Sequence, residues 1–388
     1  RIALLLLPLA SFAVDQPQWG QAWTRNLVSE EKNLPASFDP ETKKNVKWVV
    51  DLGTQSHSTP MVAAGRIFIG TNNTNPRDPR HAGDRGVFMC LDEKDGHLLW
   101  QLVVPKLEDD KYFDWPETGM SSEATIEGDR AYLVTNRGEV VCLDVHGLAN
   151  DNDGTYQDEG KHMALRDQPA MTPGPLDADI LWLLDMKEVC GIWCHDNAHS
   201  SILIRGKHLY VNTGTGVDNT HRLIRRPEAP SLIVVDKNSG KYLARDDEHI
   251  SPNIFHATWS SPSFAEVDGR PKIFFCGGNG ITYAFEPLEA ASPTDGVVTL
   301  KKRWQYDLDP AAPKSKVHFY TQNKQEGPSN IYGMPVIAND RLFIAGGGDV
   351  FWGKNQSWLK CVNPHDGTEV WSYSLGKHTL TTAAMHDG

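Results

Sequence analysis

The sequence predicts an all-β fold, a β-propeller built of four-stranded antiparallel blades, and three observations support this prediction. A turn that starts with an Asx residue and ends with glycine recurs in one register at 92–96, 236–240 and 363–367. An apolar strand precedes each turn, and another strand follows it. Two further strands with a small-residue start lie upstream of the hairpins. Four consecutive antiparallel strands every ~50 residues, without helical periodicity, are typical of propeller blades.

Each hairpin is predicted by the chemistry of its turn. Asp92, Asp236 and Asn363 can cap a turn with their side chains, and the glycine four residues later accepts a positive φ. The apolar segments before the turn, such as 87–91 and 232–235, are rich in residues favoured in strands. We therefore expect a tight reversal of the chain at each copy.

The remaining strands of each blade are predicted by a second repeat and by the segments after the hairpins. Copies of the second repeat begin at Ser58, Ser121, Ser200, Ser260 and Tyr332. Candidate outer strands are 47–51, 98–102, 180–184, 241–244, 303–306 and 369–373. Five of these six segments contain tryptophan, whose large apolar area suits packing between blades. A single four-stranded sheet cannot bury both of its faces, whereas a ring of such sheets can.

The two ends of the repeat region predict how the ring closes. Residues 47–51 form an outer strand with no blade before it, and 381–388 form a first strand with nothing after it. We expect both to share one blade, so that the N-terminal strand closes the ring. This gives about six blades, and up to about eight if the inserts 105–119 and 145–179 hide strands. The predicted divisions are a partial signal peptide (1–13), an N-terminal extension (14–45) and a C-terminally truncated propeller (46–388).

Charge and the first residues limit the partners and the location. The 38 Lys and Arg against 50 Asp and Glu give a net charge of −12, which repels nucleic acid and anionic lipid. The first residues, RIALLLLPLASFAVDQ, combine a basic residue with a short apolar run that ends in small residues. Such a pattern predicts a secretion signal cleaved after Ala13, with a buried N-terminal strand as the alternative. No other segment reaches membrane-spanning length, so we expect a periplasmic or secreted protein without a transmembrane segment.

The repeat, an apolar strand ending in Asp or Asn followed by a glycine turn and tryptophan, resembles the quinoprotein-type propeller repeat. Pyrroloquinoline quinone (PQQ) dehydrogenases and the lipoprotein subunit of the outer-membrane barrel assembly machine share that repeat. The stretches GLANDNDGTYQDEG, HDNAHSSILI, APSLIVVDKNSGK and FHATWSSPSFAEVDG resemble an exported bacterial branch of these propellers, and the likeness runs from about residue 17 to the end. The resemblance implies the fold and says little about function.

The related dehydrogenases imply Ca²⁺ held by Glu, Asn and Asp, an aspartate base, a tryptophan platform and often a vicinal cysteine pair. This sequence has no Cys-Cys pair. Trp259 is a candidate platform, and Asn279 and Asp218 are candidate Ca²⁺ ligands, but none matches the motifs of those enzymes residue by residue. The resemblance therefore implies PQQ and Ca²⁺ as candidate cofactors.

The six cysteines fall into two groups. Cys90, Cys142 and Cys361 lie at one repeat position and are expected to fill equivalent core positions, and Cys276 lies in a similar apolar run. Cys190 and Cys194 lie in a loop, and a local disulfide suits an exported chain. A Cys/His metal site, covalent haem attachment and free thiols are the alternatives.

The insert after the second hairpin is acidic and offers several oxygen ligands in a short span. Asp151, Asp153, Asp158 and Glu159 are candidate Ca²⁺ ligands, although the spacing is not that of an EF-hand. A solvated acidic loop is the alternative interpretation.

A candidate ligand site follows from propeller geometry. The strand nearest the axis comes first in each blade, so the residues before each first strand converge on one mouth of the central channel. These residues and their neighbours are His57, His195, Asn197, His199, His256, Trp259 and Tyr332, and the insert with Asp218 and His221 can reach over the same face. Histidines and aromatic rings gathered there would suit a small polar ligand or a metal. Alternatively, these residues tie the blade tops together.

Two functions of different classes follow. The first is an exported binding or scaffold propeller whose mouth meets a protein, a glycan or a small molecule. The second is a PQQ- and Ca²⁺-dependent alcohol or sugar dehydrogenase, in which Ca²⁺ polarises the quinone and a carboxylate takes the substrate proton.

Overall fold

A computed structural model describes residues 14–107, 112–289, 296–322, 326–351 and 353–388, and the expected signal peptide lies outside these residues. The strands form five sheets of four or five strands each, with antiparallel pairing between neighbours in sequence. The predicted all-β propeller of four-stranded blades is confirmed, with five blades among the described residues. No helix in this part of the chain is long and apolar enough to cross a membrane.

The blades follow one another along the chain, and each begins with its innermost strand. Blade 1 contains Met61–Ala63, Arg66–Asn72, Arg85–Asp92 and Leu98–Pro105. Blade 2 contains Thr125–Glu127, Arg130–Val134, Glu139–Asp144 and Ile180–Asp185. Blade 3 contains Leu203–Arg205, His208–Asn212, Leu232–Asp236 and Tyr242–Arg245, with Val298–Thr299 added in parallel at its outer edge.

The last two blades follow the same plan. Blade 4 contains Ser263–Val267, Arg270–Cys276, Ile281–Phe285 and Lys302–Asp307. In blade 5 the innermost strand is split into Ser329–Asn330 and Val336–Ala338, which pair with the same edge of the second strand, Arg341–Gly348. Ser357–Val362 and Glu369–Ser374 complete the blade. The short helices are Gly147–Ala149, Glu159–Met163, Met186–Val189, Ser251–Asn253 and Val317–Gln322, all in connections.

The predicted hairpins have the expected turn geometry. Gly96, Gly240 and Gly367 have φ angles of 79°, 71° and 81°, which only glycine adopts without strain. The register places Cys90 opposite Trp100, Cys142 opposite Trp182 and Cys361 opposite Trp371. The three cysteines therefore occupy equivalent positions, as the repeat predicted.

Tryptophans on the outer strands of blades 1, 2 and 4 join these blades to the next one. The indole Nε1 donates to a carbonyl in the following hairpin, from Trp100 to Val145 (2.8 Å), from Trp182 to Lys237 (3.1 Å) and from Trp304 to Pro364 (3.2 Å). Trp48 donates in the same way to Glu93 of blade 1 (3.0 Å). Blades consecutive in sequence are therefore neighbours in space.

Hydroxyl groups at the start of the innermost strands connect the blade tops. Ser58 Oγ donates to Ser122 O (3.2 Å), the Ser201 amide donates to Ser261 Oγ (2.8 Å), and Ser260 Oγ donates to Gly333 O (2.9 Å). The Met334 amide donates to Thr382 Oγ1 (3.0 Å), so Thr382 occupies the next equivalent position. Residues 47–51 and 381–388 are not paired with each other as strands, so the shared sixth blade that would close the ring stays a prediction.

Residues 16–26, here called the N-terminal strap, contact the innermost strand of every blade. Gln16 pairs with Val62, and Pro17 O accepts from Ile126 N. Three further contacts complete the series: Trp23 Nε1 to Ile204 O, Phe264 N to Trp23 O and Ile337 N to Thr24 O. The expected extension 14–45 is thus in part an integral element that crosses the axial region.

Candidate functional site

A cavity of about 700 Å³ lies at the start of the innermost strands. It is lined by Trp19, Gln55, His57, Trp115, Thr118, Ser121, Asp196, Asn197, His199, Trp259, Tyr332, Phe351 and Leu380. Trp19 comes from the N-terminal strap, and its ring meets that of His199 edge-on at 6.2 Å. The strap therefore contributes to one wall of the cavity.

The structure brings together most of the predicted mouth residues. His57, Asn197, His199, Trp259 and Tyr332 line the cavity, because the turns before the innermost strands converge there. The other histidines, His195, His221 and His256, form a compact group next to it, here called the histidine cluster.

Asp218, which is expected near the same face, is not among the residues that line the cavity. Its carboxylate accepts hydrogen bonds from the Thr220 hydroxyl (2.7 Å) and amide (3.1 Å), and from Leu223 N (3.4 Å). These bonds shape the turn that carries His221. Asp218 is therefore a positioning residue for the loop.

The histidine cluster is tightly packed. The ring centroids are 4.7 Å apart for His195 and His221, 4.8 Å for His195 and His256, and 5.7 Å for His221 and His256. One ring nitrogen of each residue lies within 4.8 Å of the other two. The Asp196 carboxylate is beside them, 3.5 Å from His195 Nε2 and 3.6 Å from His256 Nε2.

Hydrogen bonds fix the orientation of the two buried rings. His195 Nδ1 donates to Val217 O (2.9 Å), and His256 Nδ1 donates to Asp349 Oδ2 (3.0 Å). Asn330 and the Tyr332 hydroxyl donate to the same Asp349 oxygen. Both rings therefore direct Nε2 towards Asp196.

The electrostatic environment separates the pKa values of the two rings. Burial, with a smaller effect of His256, lowers the pKa of His195 to about 3. Burial also opposes protonation of His256, but hydrogen bonds with Asp196 and Asp349 outweigh it and raise its pKa to about 9. At neutral pH His195 is uncharged, whereas His256 is a cation between two carboxylates.

Two residues of this region have an uncommon backbone conformation. Asp196 and His221 have φ angles of 62° and 56°, in the left-handed region that non-glycine residues seldom adopt.

Sequence reasoning missed Asp196, Tyr112 and Asp349. Tyr112 stacks on His195 at 6.2 Å and meets His221 edge-on at 5.8 Å, but it lies in an insert without repeat character. Asp349 follows the second strand of blade 5, as Asn72 and Asn212 end the second strands of blades 1 and 3. In an antiparallel pair, the end of the second strand lies beside the start of the innermost strand. Polar residues at the ends of the second strands could therefore have indicated that Asp349 lies near the cavity.

The predicted disulfide is not formed, because Cys190 and Cys194 are both free. Cys190 caps the helix Met186–Val189, whereas Cys194 donates through Sγ to Thr213 O (3.3 Å). Burial raises the pKa of Cys190 to about 12 and also raises that of Cys194. Both thiols are buried core groups and poor nucleophiles at neutral pH.

The acidic insert does not gather its four predicted Ca²⁺ ligands. Asp151 and Asp158 are exposed, and Glu159 is buried and accepts a hydrogen bond from Asn152 Nδ2 (2.9 Å). Asp153 instead lies with Asp144 and Asp179. The four carboxylates are separated because the insert runs back along the last strand of blade 2.

Comparison with known proteins bears on the fold. Residues 22–169 match the family described as "Outer membrane protein assembly factor BamB". A search of curated proteins finds no match.

Solved structures similar to the chain are distant in sequence. BamB from Moraxella catarrhalis has 13% identity and a TM-score of 0.43, with 85% of this chain and 79% of that chain covered. Quinohemoprotein alcohol dehydrogenase ADHIIG from Pseudomonas putida HK5 has 11% identity and a TM-score of 0.44, with 85% and 43% covered. The quinohemoprotein alcohol dehydrogenase from Comamonas testosteroni has 12% identity and a TM-score of 0.38, with 96% and 75% covered. The repeated blades and the family match together identify the fold of this chain as a PQQ-like repeat β-propeller.

Proposed function

We propose that this protein is a binding propeller that holds a small, uncharged, polyhydroxylated ligand, such as a sugar unit of a glycan, in the axial cavity. The observation that carries the proposal is the lining of the cavity, in which three tryptophans stand beside amide, imidazole and hydroxyl groups. Its volume of about 700 Å³ lies within the roughly 300–1,000 Å³ typical of ligand pockets.

The aromatic groups supply flat apolar surfaces. Trp259 and Tyr332 lie with ring centroids 4.9 Å apart and planes inclined by 37°, and Trp115 is 40% exposed. Such rings give a large contact area at a low cost in conformational entropy, and they can cover the C–H face of a sugar ring.

Polar groups between these rings supply specificity. Asn197 donates through Nδ2 to Gly119 O (3.0 Å) and Ser121 Oγ (2.7 Å), which orients the amide. Its Oδ1 is buried and has no hydrogen-bond partner among the described residues. A ligand hydroxyl would satisfy this acceptor, and a buried acceptor left without a partner costs about 1–3 kcal/mol.

The charges in the cavity disfavour the dehydrogenase alternative. The described residues that line it include the Asp196 carboxylate but no lysine or arginine that would compensate an anionic quinone. Ca²⁺ requires several oxygen ligands, whereas the nearby cluster offers imidazole nitrogens. The residues present therefore do not fit the Ca²⁺ and quinone set implied by the resemblance, and we derive no reaction from it.

Calorimetric titration of the full chain with neutral mono- and disaccharides tests the proposal. We expect saturable 1:1 binding that Trp259→Ala weakens by about tenfold or more, since 1.4 kcal/mol of lost contact corresponds to tenfold. Trp371→Ala is the matched control, because Trp371 lies on the outer strand of blade 5, is 42% exposed and does not line the cavity.

Absence of saccharide binding, or equal loss of binding in both variants, would overturn the proposal. A protein ligand at the same mouth would then be the remaining binding function. Export, as expected from the first residues, would give the cavity access to extracytoplasmic glycans.

A further inference from the structure

We propose that His195, His221 and His256 form a binding site for one divalent transition-metal ion of the zinc type, beside the axial cavity. The proposal goes beyond the ligand site above and does not depend on it. It rests on the geometry of the three rings, on the groups behind them and on one unpartnered nitrogen.

The ring nitrogens are close to a coordination geometry. One nitrogen of each histidine lies within 4.8 Å of the other two. Metal–nitrogen bonds of about 2.0–2.1 Å in a tetrahedral centre place ligand nitrogens about 3.3–3.4 Å apart. Metal binding would therefore require the ring nitrogens to approach one another by at most about 1.5 Å.

The groups behind the rings match those behind metal-bound histidines. A ligating histidine usually donates its other ring N–H to a carbonyl or a carboxylate, which fixes the tautomer. His195 donates to Val217 O and His256 donates to Asp349 Oδ2. Both bonds use Nδ1, so both Nε2 atoms face the inner side of the cluster, and a bound metal ion would take the place of the proton that His256 Nε2 carries at neutral pH.

One of the two Nε2 atoms has no hydrogen-bond partner among the described residues. His195 Nε2 is buried without a hydrogen-bond partner among the described residues, in a side chain that is 0% exposed. Burial of an unpaired polar nitrogen destabilises a protein unless a ligand satisfies it. A metal ion between the three rings would do so.

The surrounding charge favours a cation. Asp196 lies 3.5 Å from His195 Nε2 and 3.6 Å from His256 Nε2, and Asp349 is fully buried behind His256. Two carboxylates balance the charge of a divalent ion. Asp196 also lines the cavity, so the side of the metal next to Asp196 faces the ligand site.

The donor atoms select the class of metal. Imidazole nitrogen suits Zn²⁺, Cu²⁺, Ni²⁺ and Fe²⁺, whereas Ca²⁺ and Mg²⁺ prefer oxygen. The structure also offers an exposed acidic group that contains a histidine, Asp92, Asp95 and His97. This group lies on the hairpin of blade 1 and serves as an internal control for surface binding.

Metal retention by the full chain tests the site. Protein stripped with a chelator is equilibrated with Zn²⁺, passed through gel filtration and analysed for metal, and a Co²⁺-loaded sample is examined by absorption spectroscopy. We expect one tightly held Zn²⁺ per chain and intense Co²⁺ bands of a tetrahedral site. Both are lost in His221→Ala and His256→Gln, while His97→Ala retains them.

Asp349→Asn separates a positioning role from direct ligation. We expect it to retain the tetrahedral Co²⁺ spectrum while weakening Zn²⁺ affinity about 10–100-fold, the usual effect of removing a group behind a ligating histidine.

Zn²⁺ retained equally by His221→Ala and His256→Gln, or no Zn²⁺ held by the unmodified chain, overturns the proposal. If the His256→Gln variant does not fold, the result for His221→Ala decides the test. His221 is half-buried on a loop, so its replacement should leave the fold intact. No saccharide is present in these measurements, so their failure would leave the proposed ligand site standing.

Discussion

At the residue scale, buried charges in this propeller are held by dense hydrogen bonding. Arg25 is 0% exposed, and its guanidinium donates to Pro262 O (2.9 Å), Trp19 O (3.1 Å), and both the hydroxyl (3.0 Å) and carbonyl (2.8 Å) of Ser201. Burial, partly offset by Glu123, lowers its pKa to about 10, so it stays charged at neutral pH. One side chain of the strap thereby joins two neighbouring blades.

Glu139 allows a prediction about pH. It is buried and accepts from the Thr135 hydroxyl (2.7 Å) and from His162 Nε2 (2.9 Å). Burial raises the pKa of Glu139, but His162 and the hydrogen bonds outweigh it and lower the pKa from 4.5 to about 2. Because the folded-state pKa is depressed, the ionised carboxylate stabilises the fold above about pH 4.5. That stabilisation is lost as the pH falls towards about 2.

We therefore expect Glu139→Gln to be less stable than the unmodified chain by up to about 3 kcal/mol at pH 7, with the difference shrinking between about pH 4.5 and pH 2. Urea unfolding at a series of pH values measures it. A difference that stays constant down to pH 2.5 would contradict the assigned pKa.

At the element scale, the repeated hairpin and the outer-strand tryptophan work as one unit. The indole of Trp100 donates to the next hairpin, and a side chain on Gly147 of that hairpin would come within 2.7 Å of the same ring. Trp371 occupies the equivalent register on blade 5, yet it is 42% exposed while Trp100 is 1% exposed. The same residue at the same position therefore has two different environments.

This pair predicts different effects of one substitution. Trp100→Phe removes the bond to Val145 O and part of the packing, so we expect a loss of about 1–3 kcal/mol in the free energy of unfolding. Trp371→Phe should change it by no more than about 0.5 kcal/mol. Chemical denaturation of both variants measures the effects, and equal losses would show that contact between blades contributes little.

The elements that could be predicted from the sequence are those whose signal is local. The hairpin pattern, such as the turn from Asp92 to Gly96 and the strand before it, is contained in about a dozen residues and recurs along the chain. The strap could not be predicted, because it has no repeat character and its backbone and side-chain hydrogen bonds reach segments that are distant in sequence. The disulfide prediction at Cys190 and Cys194 was wrong because sequence spacing says nothing about the direction of two side chains.

The site was predictable to the extent that it follows from the repeat. His57, His199, Trp259 and Tyr332 precede innermost strands, so the fold class alone brings them together. Tyr112 and Asp196 lie in connections whose path depends on tertiary packing. Sequence reasoning therefore found the cavity wall but missed the carboxylate between that wall and the cluster.

At the scale of the whole molecule, the five sheets share one connecting segment. The N-terminal strap contacts all five innermost strands, and Asn26 exchanges two hydrogen bonds of 2.9 Å with Met385. Contacts between neighbouring blades are made by side chains such as Trp182 and by the hydroxyl groups at the blade tops. Long-range order in the molecule thus depends on the strap as well as on blade-to-blade packing.

A shortened chain tests this dependence. We expect a chain that begins at residue 27 to unfold at a lower temperature than a chain that begins at residue 14, because it lacks Arg25 and the strap contacts. It should also bind an apolar dye, since the innermost strands and the cavity wall formed by Trp19 become exposed. Equal melting temperatures by circular dichroism would show that the strap is dispensable.

The strap also sets an order of events during synthesis. Asn26 is synthesised 359 positions before its partner Met385. At about 5–20 residues per second, roughly 20–70 s separate the two. During that interval Asn26 lacks its partner, so the strap must avoid aggregation until the segment that contains Met385 is made.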